Sequence, residues 1–287
     1  MNPYSIVTLD IGGTSINAGR YYQGVIEENI VRSFIADKSE VEILAFIIFC
    51  VDSVKNETTK AIAIGVPCIL DVDQGIVFDA INIPAWQNYS LKAALVAHYQ
   101  CDIYINNDVN CFVAGECSFG AAKQFNDVIG ICLGTGFGSG FVLNNQLYSG
   151  HNCSAGEVGG ISYLDATIDD YCSGKFFKDH FKISGAELNK LAELGDEKAL
   201  SAFEKFGEHL AQAISNILFV LDPQIIVIGG SVSQSYHFFI EALWRELANF
   251  PYKIVTKNLK IAKSELNNAA LLGAAHLYLE SKSDSKA

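Results

Sequence analysis

Two short β-rich stretches, each closing on a glycine–threonine turn, constrain this chain more than any other feature. The first runs from Tyr4 to Ile11 into Gly12-Gly13-Thr14, with further strands expected at 16–22 and about 29–35. The second runs from Asp127 to Leu133 into Gly134-Thr135-Gly136, with Gly138 and Gly140 close behind. Gly-Gly between alternating β-branched segments predicts a hairpin. Asn144-Asn145, between Phe141-Val142-Leu143 and Gln146-Leu147-Tyr148, is a two-residue loop suited to positive φ. A β-rich opening that recurs in the second half points to an internal duplication within an α/β chain.

The remaining pattern alternates. Apolar positions 43, 44, 47, 48, 51 and 54 mark a helix, 61–67 a buried strand, 90–99 a helix, 102–106 a strand, and about 109–119 a helix after Asn107-Asp108. In the second half helices are expected at 168–181, 185–194 and 197–221. A strand at 224–228 then enters Gly229-Gly230-Ser231, followed by a helix at 235–249, a strand at 252–257 and a closing helix at 267–281. Only the final SKSDSKA reads as disordered.

The chain's 287 residues suit one large domain or two medium ones. Lys plus Arg is 20 against Asp plus Glu 32, a net charge of −12, which disfavours a phosphate backbone as partner. The strongest apolar run, Val41 to Val51, contains Glu42 and is too short for a membrane span. The first strand starts at Tyr4 without a secretory leader, and the eight cysteines form no CxxC pair. These features lead us to expect a protein of a reducing, cytoplasmic compartment with no membrane partner.

The glycine turns have the chemistry of oxyanion sites. Gly12, Gly13 and Thr14 follow Asp10, and Gly134, Thr135 and Gly136 close the second strand; glycines expose backbone N–H groups and threonine adds a hydroxyl donor. Asp10 itself repels phosphate, and fits if it orders a magnesium ion or that ion's waters. The GxGxG stretch is not followed by a helix, and no GxxxxGK[ST] occurs, so neither dinucleotide-binding nor Walker-type readings hold. A pair of such hairpins in a duplicated chain instead suggests a nucleotide clamped in a cleft between two domains.

With LDIGGT at 9–14, GVP at 65–67, NxPxW at 82–86, NNDVN at 106–110, GE at 115–116, LGTGFGSG at 133–140, GEVGG at 156–160, DPQIIVIGGSV at 222–232 and LLGAA at 271–275, the chain resembles the ROK family of repressors, open reading frames and kinases. The resemblance implies two ribonuclease-H-like domains of the actin-like ATPase fold: 1–119, completed by the C-terminal helix 267–287, and 120–266. It further implies ATP and magnesium as cofactors, a sugar as substrate, and a homodimer. On the family pattern Asp108 is the catalytic base, with Asn107 and Glu157 as sugar ligands, while Gly229 and Gly230 join the two turns in holding ATP. From the residues alone, Asp108 equally reads as a helix N-cap.

The chain also departs from the family. Gly160 stands where a histidine is usual, and the cysteine-rich zinc loop is missing, so no zinc site is expected. Residues 161–167 would then order by packing through Ile161, Tyr163 and Leu164. Asp169 takes the place of a sugar-binding glutamate, one methylene shorter. Lys175, Lys178 and Lys182 read as a solvated stripe on one helix face, and Trp86 as a packing residue. The expected function is ATP-dependent phosphorylation of a hexose or N-acetylhexosamine, with polyphosphate an open alternative donor. The competing reading is a catalytically altered sugar-binding or regulatory protein. A repressor is disfavoured, because no winged helix precedes the first strand.

Overall fold

Strand β1 (Ser5–Ile11) alternates between two apolar cores. Val7, Leu9 and Ile11 pack with Ile43, Ile47, Leu91 and Leu95, whereas Ile6, on the opposite face, packs with Cys111, Ala114 and Ala275. A strand buried on both faces belongs in the middle of a sheet with helices on either side. The structure, a computed structural model, describes residues 4–33, 38–80 and 83–284. It divides into two compact units, one of residues 1–124, 147–155 and 266–287, the other of 125–146 and 156–265.

In the first unit β1 is followed by β2 (Ser15–Tyr22), β3 (Val25–Ser33), α1 (Glu40–Val54), β4 (Thr59–Val66), β5 (Ile69–Asp71), β6 (Ile76–Asp79), β7 (Gln87–Tyr89), α2 (Leu91–Tyr99), β8 (Asp102–Asn107) and α3 (Asp108–Phe119). The main sheet runs β3-β2-β1-β4-β8, antiparallel through β1 and parallel from β1 to β8. Helix α1 starts on a capping box in which Ser39 and Glu42 satisfy each other's backbone N–H.

The second unit contains β9 (Val128–Leu133), β10 (Phe137–Leu143), the small hairpin β12 (Ser162–Tyr163) and β13 (Ala166–Thr167), α4 (Ile168–Tyr171), α5 (Gly174–Phe181), α6 (Gly185–Glu193), α7 (Glu197–Leu221), β14 (Ile225–Gly229), α8 (Tyr236–Leu247), α9 (Lys253–Asn258) and β15 (Lys260–Lys263), while the division between the units falls within β11 (Gln146–Tyr148). Its sheet runs β11-β10-β9-β14-β15. The order and strand directions repeat those of the first sheet, as a duplication requires. The closing helix α10 (Ala269–Asp284) returns to the first unit.

Helix α10 lies against α3 at backbone distance. A Cβ on Gly115 would stand 2.0 Å from the carbonyl oxygen of Ala269, and one on Gly273 would stand 1.7 Å from that of Cys111. Only glycine permits that approach, which places the first turns of α3 firmly over the small residues Ala61, Ala63 and Gly65 of β4. The neighbouring Glu116 is fully buried and accepts a hydrogen bond from the Ala121 N–H at 3.0 Å, closing the loop after α3.

Several expectations need correction. The helix expected at 168–181 is two, because Ser173 stops α4 and caps α5. The strand expected at 252–257 is helix α9, which buries none of its residues; Ile254 is 63% exposed. The edge of β14 is taken instead by β15, so the available pairing partner overrides the β-branched composition of 254–256. The sheet β5-β6-β7 was not expected. Ser281–Asp284 of the tail are helical, while 285–287, residues 34–35 of the third strand and Asn82 of NxPxW lie outside the described residues. Among the described residues no helix is long and apolar enough to cross a membrane.

Candidate functional site

Asp10, Gly65 and Asn106 form one row across the parallel part of the first sheet, since Asp10 pairs with Gly65 and Gly65 with Asn106. Side chains in register point to the same face, so Asp10 faces the side on which α3 lies. Burial pushes its carboxyl up to about 6. The carboxylate has no hydrogen-bond or ion-pair partner among the described residues. A half-buried carboxylate without a protein donor suits a hard, oxygen-seeking cation, and magnesium fits that description.

At the other end of the row, Asn107 and not Asp108 is the N-cap of α3. Its side-chain oxygen accepts from the N–H groups of Val109 at 2.9 Å and Asn110 at 3.1 Å. Its amide donates to the carbonyl of Cys68 at 3.3 Å. The capping role open to Asp108 in sequence therefore falls to its neighbour. Behind them Asn106 is buried, accepting from Asn107 N–H and from Asn110 and donating to the Tyr104 hydroxyl. The thiol of Cys111 is pushed well up by burial, then by the negative charges of Asp10 and Asp108. A Cβ on Gly65, the register partner of Asp10, would stand 3.4 Å from the Cys111 sulfur and 3.6 Å from the Asp108 Cβ, which puts both over the face that Asp10 shares. Trp86 is fully buried and stacks on Tyr89 at 5.6 Å, a packing residue as expected.

The two glycine turns share a construction that the sequence does not reveal. Gly12 N–H donates to Ser15 O at 2.8 Å, and Gly134 N–H donates to Gly136 O at 3.0 Å. In each turn the first amide closes the loop. The amides of Gly13 and Thr14, and of Thr135 and Gly136, make no hydrogen bond among the described residues and are left to face an oxyanion. Gly12 and Gly134 are turn-closers, a correction to their expected role as donors. Gly230 explains why the second turn stays put. With φ +84° it crosses Leu133 so closely that a Cβ would lie 2.4 Å from that carbonyl oxygen. Gly229 pairs with Cys132, which sets both glycine turns of this unit at one end of its sheet.

Asp169 and Lys175 bind to the second turn. The Phe137 N–H donates to Asp169 Oδ1 at 2.5 Å, and the Lys175 ammonium is paired with Oδ2. Gly174 N–H donates to Gly134 O at 2.8 Å and the Ser173 hydroxyl to Thr135 O at 3.2 Å, fastening the start of α5 to the same turn. Lys175 has therefore left the solvated stripe expected of it, while Lys178 remains exposed. The signal for this pairing was a six-residue spacing across a helix break, too weak to act upon. Asp169, expected to face a sugar, has both oxygens engaged by its own unit, though a carboxylate keeps further lone pairs.

Gly156, at φ +105°, lays the GEVGG segment on β10; a Cβ there would be 2.1 Å from Ser139 O. The following Glu157 carries a carboxylate with no hydrogen-bond or ion-pair partner among the described residues. Although its outer surface is exposed, crowding around the carboxyl raises its pKa, with a smaller contribution from Asp169. Gly160 looks into open space, with nothing within 4 Å of a Cβ. Of the three expected anchors beyond it, Ile161 and Leu164 are 45% and 69% exposed, a correction. Only Tyr163 anchors, its hydroxyl 3.0 Å from His209 Nδ1.

Comparison with known proteins places these features in context. The ROK family model matches residues 6–281. The chain is 31% identical to the N-acetyl-D-glucosamine kinase of Yersinia enterocolitica over 246 residues, 76% of this chain and 80% of that protein. It is 24% identical to the glucokinase of Thermotoga maritima over 98% of this chain and 99% of that one. Among solved structures, a ROK family glucokinase from Streptomyces griseus, determined in complex with glucose and AMPPNP, superposes with a TM-score of 0.84 at 24% identity, covering 95% of this chain and 98% of its own.

Proposed function

This chain belongs to the ROK family, and we propose that it transfers the terminal phosphoryl group of ATP to a hydroxyl of a small sugar, a hexose or N-acetylhexosamine. The observation that carries the reading is the row Asp10–Gly65–Asn106, ending at Asp108 with its helix capped by Asn107. Asp108 accepts the proton of the attacking hydroxyl, and an ordinary carboxylate is sufficient because that proton leaves late in a loose transition state. Asp10 would hold magnesium, which when bound would supply charge neutralisation for the phosphate oxygens. The amides of Gly13, Thr14, Thr135 and Gly136 receive phosphate oxygens, and the Gly229-Gly230 crossing keeps the second turn rigid. Glu157 and the remaining lone pairs of Asp169 accept sugar hydroxyls, which need partners once removed from water. Asn107 contributes its carbonyl or amide only to the extent that capping leaves it available.

We place the protein in the cytoplasm as a homodimer. The free cysteines support a reducing compartment, and the exposed group Phe219, Val220, Tyr252 and Ile254 supports burial against a second copy. The test of the activity is ADP release with magnesium-ATP across a panel of sugars, with polyphosphate as a parallel donor. A sugar that is phosphorylated supports the reading. The second reading, a sugar-binding protein without turnover, draws on Gly160 and on the engagement of Asp169. Calorimetric sugar binding with no phosphorylation by either donor would decide for it.

A further inference from the structure

Four groups at the second glycine turn form a single assembly: the turn itself, Asp169, Ser173 and Lys175. Asp169 is fixed to the turn by Phe137 N–H, and its Oδ1 lies 2.9 Å from where a Gly136 Cβ would be. The Ser173 hydroxyl bridges Thr135 O and the Lys175 N–H, both at 3.2 Å. The lysine's ammonium is thereby held within one carboxylate of Gly136.

We propose that Lys175 is the cation that serves the phosphoryl group at the Gly134–Gly136 turn, with Asp169 as its positioning residue. The inference rests on the kinase reading above and adds to it a residue that supplies charge. The two free amides of this turn carry no formal charge, and in a chain of net charge −12 a cation at the turn itself must come from a side chain. An ammonium has three donors, of which Asp169 takes one, and Asp170 stands 3.8 Å away. The Lys175 side chain is 44% exposed, so its other donors can reach an incoming ligand. If Asp169 also faces the sugar, Lys175 stands where sugar and phosphate meet, and its charge counts most as the phosphoryl group moves between them.

The experiment compares Lys175→Met and Lys175→Arg with the natural chain, after thermal unfolding has shown that each is folded. Affinities for a non-hydrolysable ATP analogue and for adenosine are measured calorimetrically, alongside kcat and KM with magnesium-ATP. Lys175→Met is expected to weaken the analogue by ten- to a hundredfold, on the order of a lost charge-assisted hydrogen bond, and to leave adenosine unchanged. Its kcat should fall on the order of a hundredfold, and Lys175→Arg should recover at least tenfold of that loss. A merely structural ion pair would move stability and both ligands together. Unchanged analogue affinity and kcat in folded Lys175→Met would overturn the inference and leave the kinase reading standing. Loss of analogue binding in a protein that phosphorylates no sugar would do the reverse.

Discussion

Gly65 and Asp108 meet backbone to backbone: a Cβ on Gly65 would stand 3.2 Å from the Cα of Asp108 and 3.4 Å from the sulfur of Cys111. Gly273 of α10 also lies close to the Cys111 carbonyl, so α3 is held along its flank as well. Gly65→Ala is therefore expected to displace Asp108 by a few tenths of an ångström while costing about 1–2 kcal/mol of stability. Since attack geometry governs rate, kcat should fall roughly tenfold with less change in sugar KM. Steady-state kinetics on the folded variant check this, and an unchanged kcat would detach Asp108 from the chemistry.

Asp108→Asn separates catalysis from folding. Asn107 supplies the cap of α3, so the amide should cost no more than about 1 kcal/mol, the scale of one lost charge in a helix's first turn. Turnover should drop on the order of a hundredfold or more, because the amide cannot take the hydroxyl's proton. Retained turnover, or a collapse in stability, would return Asp108 to a structural role.

What the sequence made legible follows from how local each signal is. The ends of β1 at Ile11, β9 at Leu133 and β14 at Gly229 are each marked by adjacent glycine, and the structure places turns after the first two and a short 3-10 helix, Ser231–Ser235, after the third. The family and fold followed from motifs spread over the whole chain. The Asn107 cap needed coordinates, because an Asn-Asp pair offers two caps and sequence does not choose between them. The pairing of Asp169 with Lys175 crosses a helix break, and periodicity across that break had aligned Lys175 with Lys178 instead. The Gly12 and Gly134 amides were misassigned for the same reason: glycine in sequence shows that a donor is accessible, not whether the turn itself consumes it. The 252–257 strand failed because composition reports propensity, while the edge of β14 decides who pairs.

Asp10 should make the ligand-free protein less stable than it could be. Burial raises its carboxyl from 3.8 to about 6, so the folded state holds the proton more tightly than the unfolded chain does. The stability contributed by that protonated form is fully present below 3.8 and is lost as pH rises through about 6. At pH 8 the buried charge costs about 2–3 kcal/mol by linkage. Asp10→Asn should recover about 1–3 kcal/mol at pH 8, and progressively less toward pH 4, while losing magnesium-dependent nucleotide binding. Urea unfolding at several pH values without magnesium is the measurement. A variant destabilised at pH 8 would show that the carboxylate has a protein partner after all.

Residues 161–167 stand where the ROK family pattern would place a zinc loop. The β12-β13 hairpin is clasped by rings: Tyr163 and Tyr171 lie 5.4 Å apart and both contact His209, at 5.8 and 4.9 Å, with Phe176 at 5.3 Å from the same imidazole. The Tyr171 hydroxyl is hydrogen-bonded to Asp165, closing the hairpin onto α4. Such a cluster orders a short segment without an ion, so purified protein should contain no stoichiometric zinc. Activity lost to a chelator should return with magnesium alone. The imidazole also gives the clasp a pH dependence. Burial is the main cause that lowers the His209 pKa from 6.5; His180 and Lys205 add to it and Glu208 opposes it. Folding thus favours the neutral ring, and its contribution is present above 6.5 and lost as pH falls through the lower folded value. His209→Phe keeps a ring but cannot titrate, so its thermal midpoint should lose that acid-side decline. Stoichiometric zinc by elemental analysis, or the same acid-side decline in His209→Phe, would show that something other than this aromatic cluster holds the hairpin.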